Sequence, residues 1–400
     1  MVWCARLSSG VLVYTIMCNG LVCSSALNIF QSYCDKWKLT VKVNKTKVLV
    51  FSKRKCQKKF DFTLNGENLD IIDSYIYLGI TLKYNGSFVD SRKRLVEHAQ
   101  KSLFAIYKKI RNQNIPIDLQ LKLFDSLVES IILYGSEVWG FENIQIMEKI
   151  HLKFCKRILN MRLTMPNYMV FSELGRYPLE IRVKLRMVSF SFWTKLIQSE
   201  NKLSSILYRL MLQIHQSGNH DFKWISFVMS IFDNTGLSYI FFANQLNNNI
   251  HLLKSILKER LNDHFIQQWF TDVENSSRGE FYLIFEFGFE KYLSKLSVKN
   301  RINLSKFRCS NVKFPIETGR WQNIARNDRM CTFCRENIGD EFHYLFICKY
   351  ELIAALRSKF IPKYYTSNPT IHKMKGLLSL CNVPLLKNIS LFISKLVGFF

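Results

Sequence analysis

Leu39, Val41 and Val43 alternate with Thr40, Lys42 and Asn44, and Val48 to Phe51 form a short apolar run. A period of two marks a half-buried strand, so this stretch predicts strand, turn, strand, with Asn44-Lys45-Thr46-Lys47 as the turn. Phe60, Phe62 and Leu64 then alternate with Asp61 and Thr63. Asn65-Gly66 is a type I′ turn signal, and a second strand toward Tyr75-Ile76-Tyr77-Leu78-Gly79 completes a predicted hairpin. Gly79 inside that strand implies the close approach of another backbone or a bulge, with packing economy as the alternative.

From residue 88 the period becomes helical. Leu95, Ala99, Leu103, Ile106 and Ile110 share one face, with Lys93, Lys101 and Lys108 turned away. Pro116 can open a second helix carrying Leu121, Phe124, Leu127, Val128 and Ile131. Met147, Ile150, Phe154 and Ile158 define a third. After Pro178, Ile181, Leu185, Val188, Phe192 and Leu196 define a fourth. These stripes are core seams. Lys149, Lys153, Lys156, Arg157, Arg182, Lys184 and Arg186 lie on their backs and flanks, suited to a phosphate backbone.

Residues 201–300 continue in a helical, aromatic-rich pattern, broken at Gly218-Asn219, Asp233-Asn234-Thr235-Gly236 and Asn275-Ser276-Ser277-Arg278-Gly279. Phe241, Phe242, Trp269, Phe270, Phe281, Tyr282, Phe285 and Phe287 read as core, with stacking on unpaired bases the less favoured reading. Three residues nearer the centre suggest catalysis but read better as structure. Glu137 is expected as a cap or ion pair, His151 as a satisfied histidine, and Ser136 has no His-Asp pairing argued for it.

Charge adds a partner class. Lys plus Arg number 56 against 31 acids, a net charge of +25, which attracts polyanions and releases their counterions. Between Lys36 and Lys59 there are ten Lys or Arg and no acid. The 400 residues allow two or three domains, and no apolar run reaches the roughly 18 residues needed to cross a bilayer. Arg6 precedes an apolar stretch, Val11 to Cys18, without a clean cleavage site, so secretion is not expected. Eleven irregularly spaced cysteines predict a reducing, intracellular setting, nuclear or cytoplasmic.

The most specific chemistry is C-terminal. Cys331-x-x-Cys334 is followed after eight residues by His343 and after four more by Cys348. Three thiolates and one imidazole make a closed tetrahedral set, which folds a module and leaves no position for water activation. The predicted cofactor is therefore one structural zinc ion.

Trp37-Lys38-Leu39-Thr40-Val41-Lys42-Val43-Asn44-Lys45-Thr46-Lys47 and Tyr77-Leu78-Gly79-Ile80 resemble the palm end and primer-grip hairpin of LINE-type (non-LTR) retrotransposon reverse transcriptases. The family's Asn falls on Lys42, with Asn44 two residues on. Leu133-Tyr134-Gly135-Ser136-Glu137-Val138-Trp139-Gly140, Glu173-Leu174-Gly175-Arg176-Tyr177-Pro178-Leu179 and Pro315-Ile316-Glu317-Thr318-Gly319-Arg320-Trp321 resemble thumb and C-terminal wording of the same family. Ser130 stands where the family commonly has proline. The resemblance runs from about residue 11 to about 360 and is unspecific between 201 and 300.

The resemblance implies an α+β, mostly α chain. Residues 1–87 are expected as a truncated, antiparallel palm end with a primer-grip hairpin, and 88–200 as a helical thumb. Residues 201–310 are expected as a helical connecting region, and 311–400 as a zinc-knuckle-like module with C-terminal helices. It implies an RNA/DNA template-primer partner, bound through Lys42, Asn44, Lys45, Lys47, Lys53, Arg54, Tyr77, Leu78 and Gly79, with no membrane and no small-molecule substrate. The family's magnesium ligands, a Tyr-Ala-Asp-Asp turn, are expected where this chain has Tyr14-Thr15-Ile16-Met17, and no acid precedes Asp35. No catalytic residue is therefore assigned, and the chain is expected to be inactive alone as a polymerase. The alternative is a domesticated nucleic-acid-binding or interaction protein.

Overall fold

The computed structural model describes residues 13–16, 20–52, 61–112, 115–196, 203–218, 220, 222–239, 250–380 and 382–400. The chain divides into two compact units, residues 1–98 and 99–400. It is α+β and mostly helical, as expected.

In the first unit, β1 (Val13–Ile16), β2 (Lys47–Val50) and β5 (Asp70–Ile72) form a three-stranded sheet in the order β1-β2-β5. Both pairings are parallel, Val48 lying opposite Tyr14 on one side and Ile71 on the other. The antiparallel pairing expected of this region is confined to two hairpins, because helix α1 (Gly20–Lys36) carries the chain back between β1 and β2. Leu27 and Cys34 of α1 pack with Val41, Val48, Phe62, Leu64 and Leu69 to make the core of this unit.

The alternation at 39–43 is not a strand. Lys38 takes a positive φ of 52° at the end of α1, and the Leu39 N–H reaches back to the Cys34 carbonyl at 2.8 Å. That is a helix-terminating turn. Val43–Lys45 then form a single 3-10 turn, in which the Thr46 N–H and hydroxyl donate to the Val43 and Lys42 carbonyls. These backbone groups are satisfied locally, so only Lys47 to Val50 of the segment joins the sheet.

Asn65-Gly66 makes the predicted turn, with φ of 53° and 78°, between the short strands β3 (Thr63–Leu64) and β4 (Glu67–Asn68). The hairpin ends there. Residues 74–83 form a separate one, β6 (Ser74–Tyr77) against β7 (Ile80–Lys83). Its two central residues are Leu78 and Gly79, with φ of 46° and 81°. Gly79 thus sits in a type I′ turn and not inside a strand, and its lack of a Cβ serves the positive φ that this turn demands.

Helix α2 (Val89–Asn112) buries Leu95, Ala99, Leu103 and Ile106, as its pattern predicts. In the second unit Pro116 precedes α3 (Ile117–Phe124), which passes into one π-helical turn, Asp125–Glu129. The third and fourth predicted helices are Gln145–Ile158 and Leu179–Leu196. The latter also buries Val183 and Met187, against which Gly140 lies so closely that a Cβ there would stand 2.4 Å from the Val183 side chain.

The predicted breaks in 201–300 recur as helix ends. Leu203–Gln216, Lys223–Asn234 and Ile250–Glu274 are helices, with Gly218, Gly236 and Gly279 at positive φ beyond them. Trp269, Tyr282 and Phe285 are buried, as the core reading expects, and Phe281 and Phe287 are half-buried, but Phe270 is exposed. Phe241 and Phe242 lie outside the described residues. Val298–Arg308 packs against Val383–Val397, whose Leu386, Ile389, Phe392, Ile393 and Leu396 are buried. No single helix among the described residues is long and apolar enough to cross a membrane.

Candidate metal centre and charged surfaces

The four C-terminal residues converge. The ligand atoms of Cys331, Cys334, His343 and Cys348 all lie within 4.8 Å of one another and could hold a metal ion such as zinc. The Cys331 and Cys348 sulfurs are 3.8 Å apart, and Cys334 Sγ is 3.3 Å from His343 Nε2. Tetrahedral zinc with Zn–S near 2.3 Å requires S···S edges of about 3.8 Å, so the donors fit the metal in chemistry and separation.

Local structure explains the convergence. Arg335, at φ 56°, turns the chain after Cys334, and Cys331 N–H pairs with the Asn337 carbonyl at 2.8 Å. The Phe333 N–H points to Cys331 Sγ at 3.4 Å. On the other side, Asp340 Oδ1 accepts the His343 N–H at 2.8 Å and starts the π turn His343–Ile347, which delivers Cys348. Arg357 closes the far end by donating to the Leu345 and Cys348 carbonyls at 3.1 and 2.9 Å. Burial, followed by the nearby Arg357 charge, pushes the His343 imidazole down to about 4, so it stays neutral and able to ligate. Burial pushes the Cys348 thiol up to about 12, a penalty on the free thiolate that a cation relieves.

The cationic turn is only partly free. Lys42, Asn44 and Lys45 are exposed, whereas Lys47 lies in register with Asp70 and binds its carboxylate at 2.5 Å. Along the sequence no acid stands near Lys47, but the parallel sheet supplies one. Lys53 and Arg54 lie outside the described residues. Leu78 is 71% exposed at the tip of the β6–β7 hairpin, with Tyr77 and Gly79 half-buried beside it.

The cations assigned to the helix backs separate into two groups. Lys149 and Lys153 are exposed. Lys156 is buried and donates to the Leu163 carbonyl at 2.7 Å, while Arg186 donates to the Leu133 carbonyl at 2.6 Å. Lys184 pairs with Glu180 at 2.7 Å, and Arg157 lies 3.9 Å over the Tyr107 ring. Arg182 binds Glu129. These side chains satisfy the protein's own acceptors and faces.

The π turn after α3 explains the last of these pairs. It turns Asp125 and Glu129 toward Arg176, which grips Asp125 with both Nη atoms, at 2.6 and 2.9 Å. Burial pushes the Asp125 carboxyl up, but Arg176 and Arg182 outweigh it and hold the group below its ordinary value. Arg176 Nε donates to His151 Nε2 at 3.2 Å, and His151 Nδ1 lies 2.8 Å from Glu148. His151 is therefore a satisfied core histidine. Ser136 is buried, and both ring nitrogens of His151 are engaged elsewhere, so no nucleophile pair forms.

One pairing had no signal in the sequence pattern, although Glu173 opens a phrase singled out there. Glu173 and Arg308 are both fully buried and pair at 3.0 Å, with the Tyr282 and Tyr292 hydroxyls on the same carboxylate and Glu290 on the same guanidinium. Arg308 Cζ also lies 3.6 Å from the Phe285 ring centroid. Gly175, two residues on, passes so close to Phe289 that a Cβ would stand 2.5 Å from its backbone nitrogen. The Glu173–Leu179 phrase is thus a structural knot joining elements more than one hundred residues apart. Arg308 is unremarkable where it stands in the sequence.

Residues of this chain are similar to an uncharacterized transposon-derived protein of Caenorhabditis elegans, at 27% identity over 148 residues. The match covers 35% of this chain and 51% of that protein, so the chain spans about half the length of the relative. This similarity supports a transposon-related origin. No family profile matches the chain, and no solved structure matches it.

Proposed function

We propose that the chain is the C-terminal part of a non-LTR retrotransposon reverse transcriptase that binds an RNA/DNA primer-template through its phosphates. The observation that carries the reading is the turn at Lys42-Val43-Asn44-Lys45, whose Lys42, Asn44 and Lys45 are exposed, with no carboxylate pairing the two lysines among the described residues, in the segment that resembles the family's palm end. The transposon-derived relative and the convergent Cys331, Cys334, His343 and Cys348 are consistent with it. The ion in that cluster is proposed to be zinc, acting as a structural clasp. The proposal concerns binding alone.

The test is binding of a labelled RNA/DNA duplex to the full chain across a salt series. Affinity falls steeply with salt, because each neutralised phosphate contributes about 0.9 to the slope of log affinity against log salt. Replacing Lys42 and Lys45 by Ala lowers that slope by up to roughly two units. Binding indifferent to salt, or no binding, rejects the reading and leaves a domesticated interaction protein.

A further inference from the structure

Glu317 is buried and is surrounded by guanidinium groups from four separate parts of the second unit. Arg320 Nη2 lies 2.6 Å from its carboxylate and Arg278 Nε 3.9 Å, while Arg162 and Arg329 also act on it electrostatically. Two lysines extend the cluster: Lys156 feels the charge of Arg278, and Lys306 that of Arg162. The Glu317 carboxylate thus sits among cations drawn from residues 156 to 329.

Crowding of this kind is costly for folding alone. Arg162 and Arg278 are pushed below their ordinary values by burial, and each is also lowered by neighbouring guanidinium groups. Protein groups hold the cations in place: Arg162 Nε on Asn311 Oδ1 at 2.5 Å, Arg278 Nη1 on the Thr164 carbonyl at 2.8 Å, and Arg329 on the Ile316 and Ile324 carbonyls. These partners are neutral, so they orient charge without cancelling it. Beside the cluster, Trp321 is 48% exposed and carries the Arg162 guanidinium 4.5 Å from its ring centroid.

We infer that the cluster of Arg162, Arg278, Arg320, Lys306 and Trp321 is a second nucleic-acid site, which takes the backbone phosphates of a single strand and stacks an unpaired base on Trp321. Guanidinium forks match phosphate oxygens in pairs, and indole offers a π-face that any base can use. A paired base keeps its faces within the duplex, which makes the single strand the fitting ligand. The inference rests on the preceding reading only for its choice of a nucleic-acid ligand. Its residues are all different from those of the Lys42–Lys45 turn.

The experiment measures binding of a fluorescent oligouridylate to the full chain over a salt series, beside the same RNA/DNA duplex. Arg162→Gln with Lys306→Gln lowers the single-strand salt slope by about 1.4, at roughly 0.7 per lost phosphate contact, and leaves the duplex slope as it was. Trp321→Ala weakens single-strand binding at least roughly fivefold without changing the slope, and Trp321→Phe restores most of the loss. Thermal unfolding of each variant shows whether the fold is kept. Unchanged oligouridylate affinity in folded variants overturns the inference while leaving the duplex reading intact. Tighter binding of a polyglutamate peptide than of the oligonucleotide also overturns it, in favour of an acidic protein partner. Loss of duplex binding in the Lys42/Lys45 variant alone bears on the first site only.

Discussion

Two groups of cations, one in each unit, are used in opposite ways. In the first, Lys42 and Lys45 face solvent from a short turn, and the described ion pair of Lys47 is with an exposed Asp70. In the second, Arg176, Arg182 and Arg308 are tied to Asp125, Glu129, Glu173 and Glu290 across long stretches of chain. Lys42 and Lys45 thus form an open field in the first unit, whereas Arg176, Arg182 and Arg308 are internal cross-links in the second. Cationic side chains along a helix are not, by their presence alone, a nucleic-acid surface.

The comparison predicts that order in the second unit depends on closed polar centres. Its largest expected break is at the Cys/His cluster. His343→Ala or strong chelation removes a metal contribution of about 10–16 kcal/mol in comparable peptides, so residues 331–348 lose hydrogen-exchange protection. The Gln145–Ile158 and Leu179–Leu196 helices remain protected. Atomic emission decides the premise: a well-folded protein without zinc, or unchanged zinc content in Cys334→Ser, shows that the cluster is no metal site.

Next in size is Glu173→Ala, which leaves Arg308 buried with Glu290 as its remaining carboxylate. Removing one partner of a buried pair costs about 3–5 kcal/mol, read as a fall in the denaturant midpoint of the second unit. A cost below about 1 kcal/mol, the range of surface pairs, erases the distinction between the units.

A pH profile sharpens the same point. Burial, with Glu173 nearby, raises Glu290 to about 7 despite Arg308, so the folded protein holds a proton that the unfolded chain releases near its ordinary value. This contribution is full below the unfolded pKa and is lost as pH rises through about 7. Glu290→Gln flattens that part of the stability profile. An unchanged profile shows that Glu290 is not the titrating group.

The smallest effect belongs to the first unit. Asp70→Asn removes the Lys47 pair, whose carboxylate is 71% exposed, and changes stability by no more than about 1 kcal/mol. If the turn is a phosphate site, the same change raises duplex affinity by freeing Lys47. Weaker binding in Asp70→Asn contradicts that picture.

Much of the helical unit was legible from the sequence because period and punctuation are local. The Leu95-Ala99-Leu103-Ile106 face, Pro116 ahead of α3 and the glycines beyond later helices each act within a turn or two of chain. The Asn65-Gly66 turn was legible for the same reason, since few residues accept positive φ at two successive positions. Leu78-Gly79 escaped notice because leucine is seldom found in that conformation. The Cys/His cluster was legible because its four side chains lie within eighteen residues.

By itself, then, the sequence determined the helical faces, the Asn65-Gly66 turn, the spacing of the Cys/His cluster and the large excess of positive charge. Tertiary structure decided the parallel order β1-β2-β5, the pairing of Lys47 with Asp70, the knot of Glu173 with Arg308 and the cations gathered about Glu317. The physical reason is range. Periodicity and turn chemistry are fixed by neighbouring residues, but a charge finds its partner only when packing brings distant segments together. Whether a lysine or arginine faces solvent or an internal carboxylate is therefore a property of the fold.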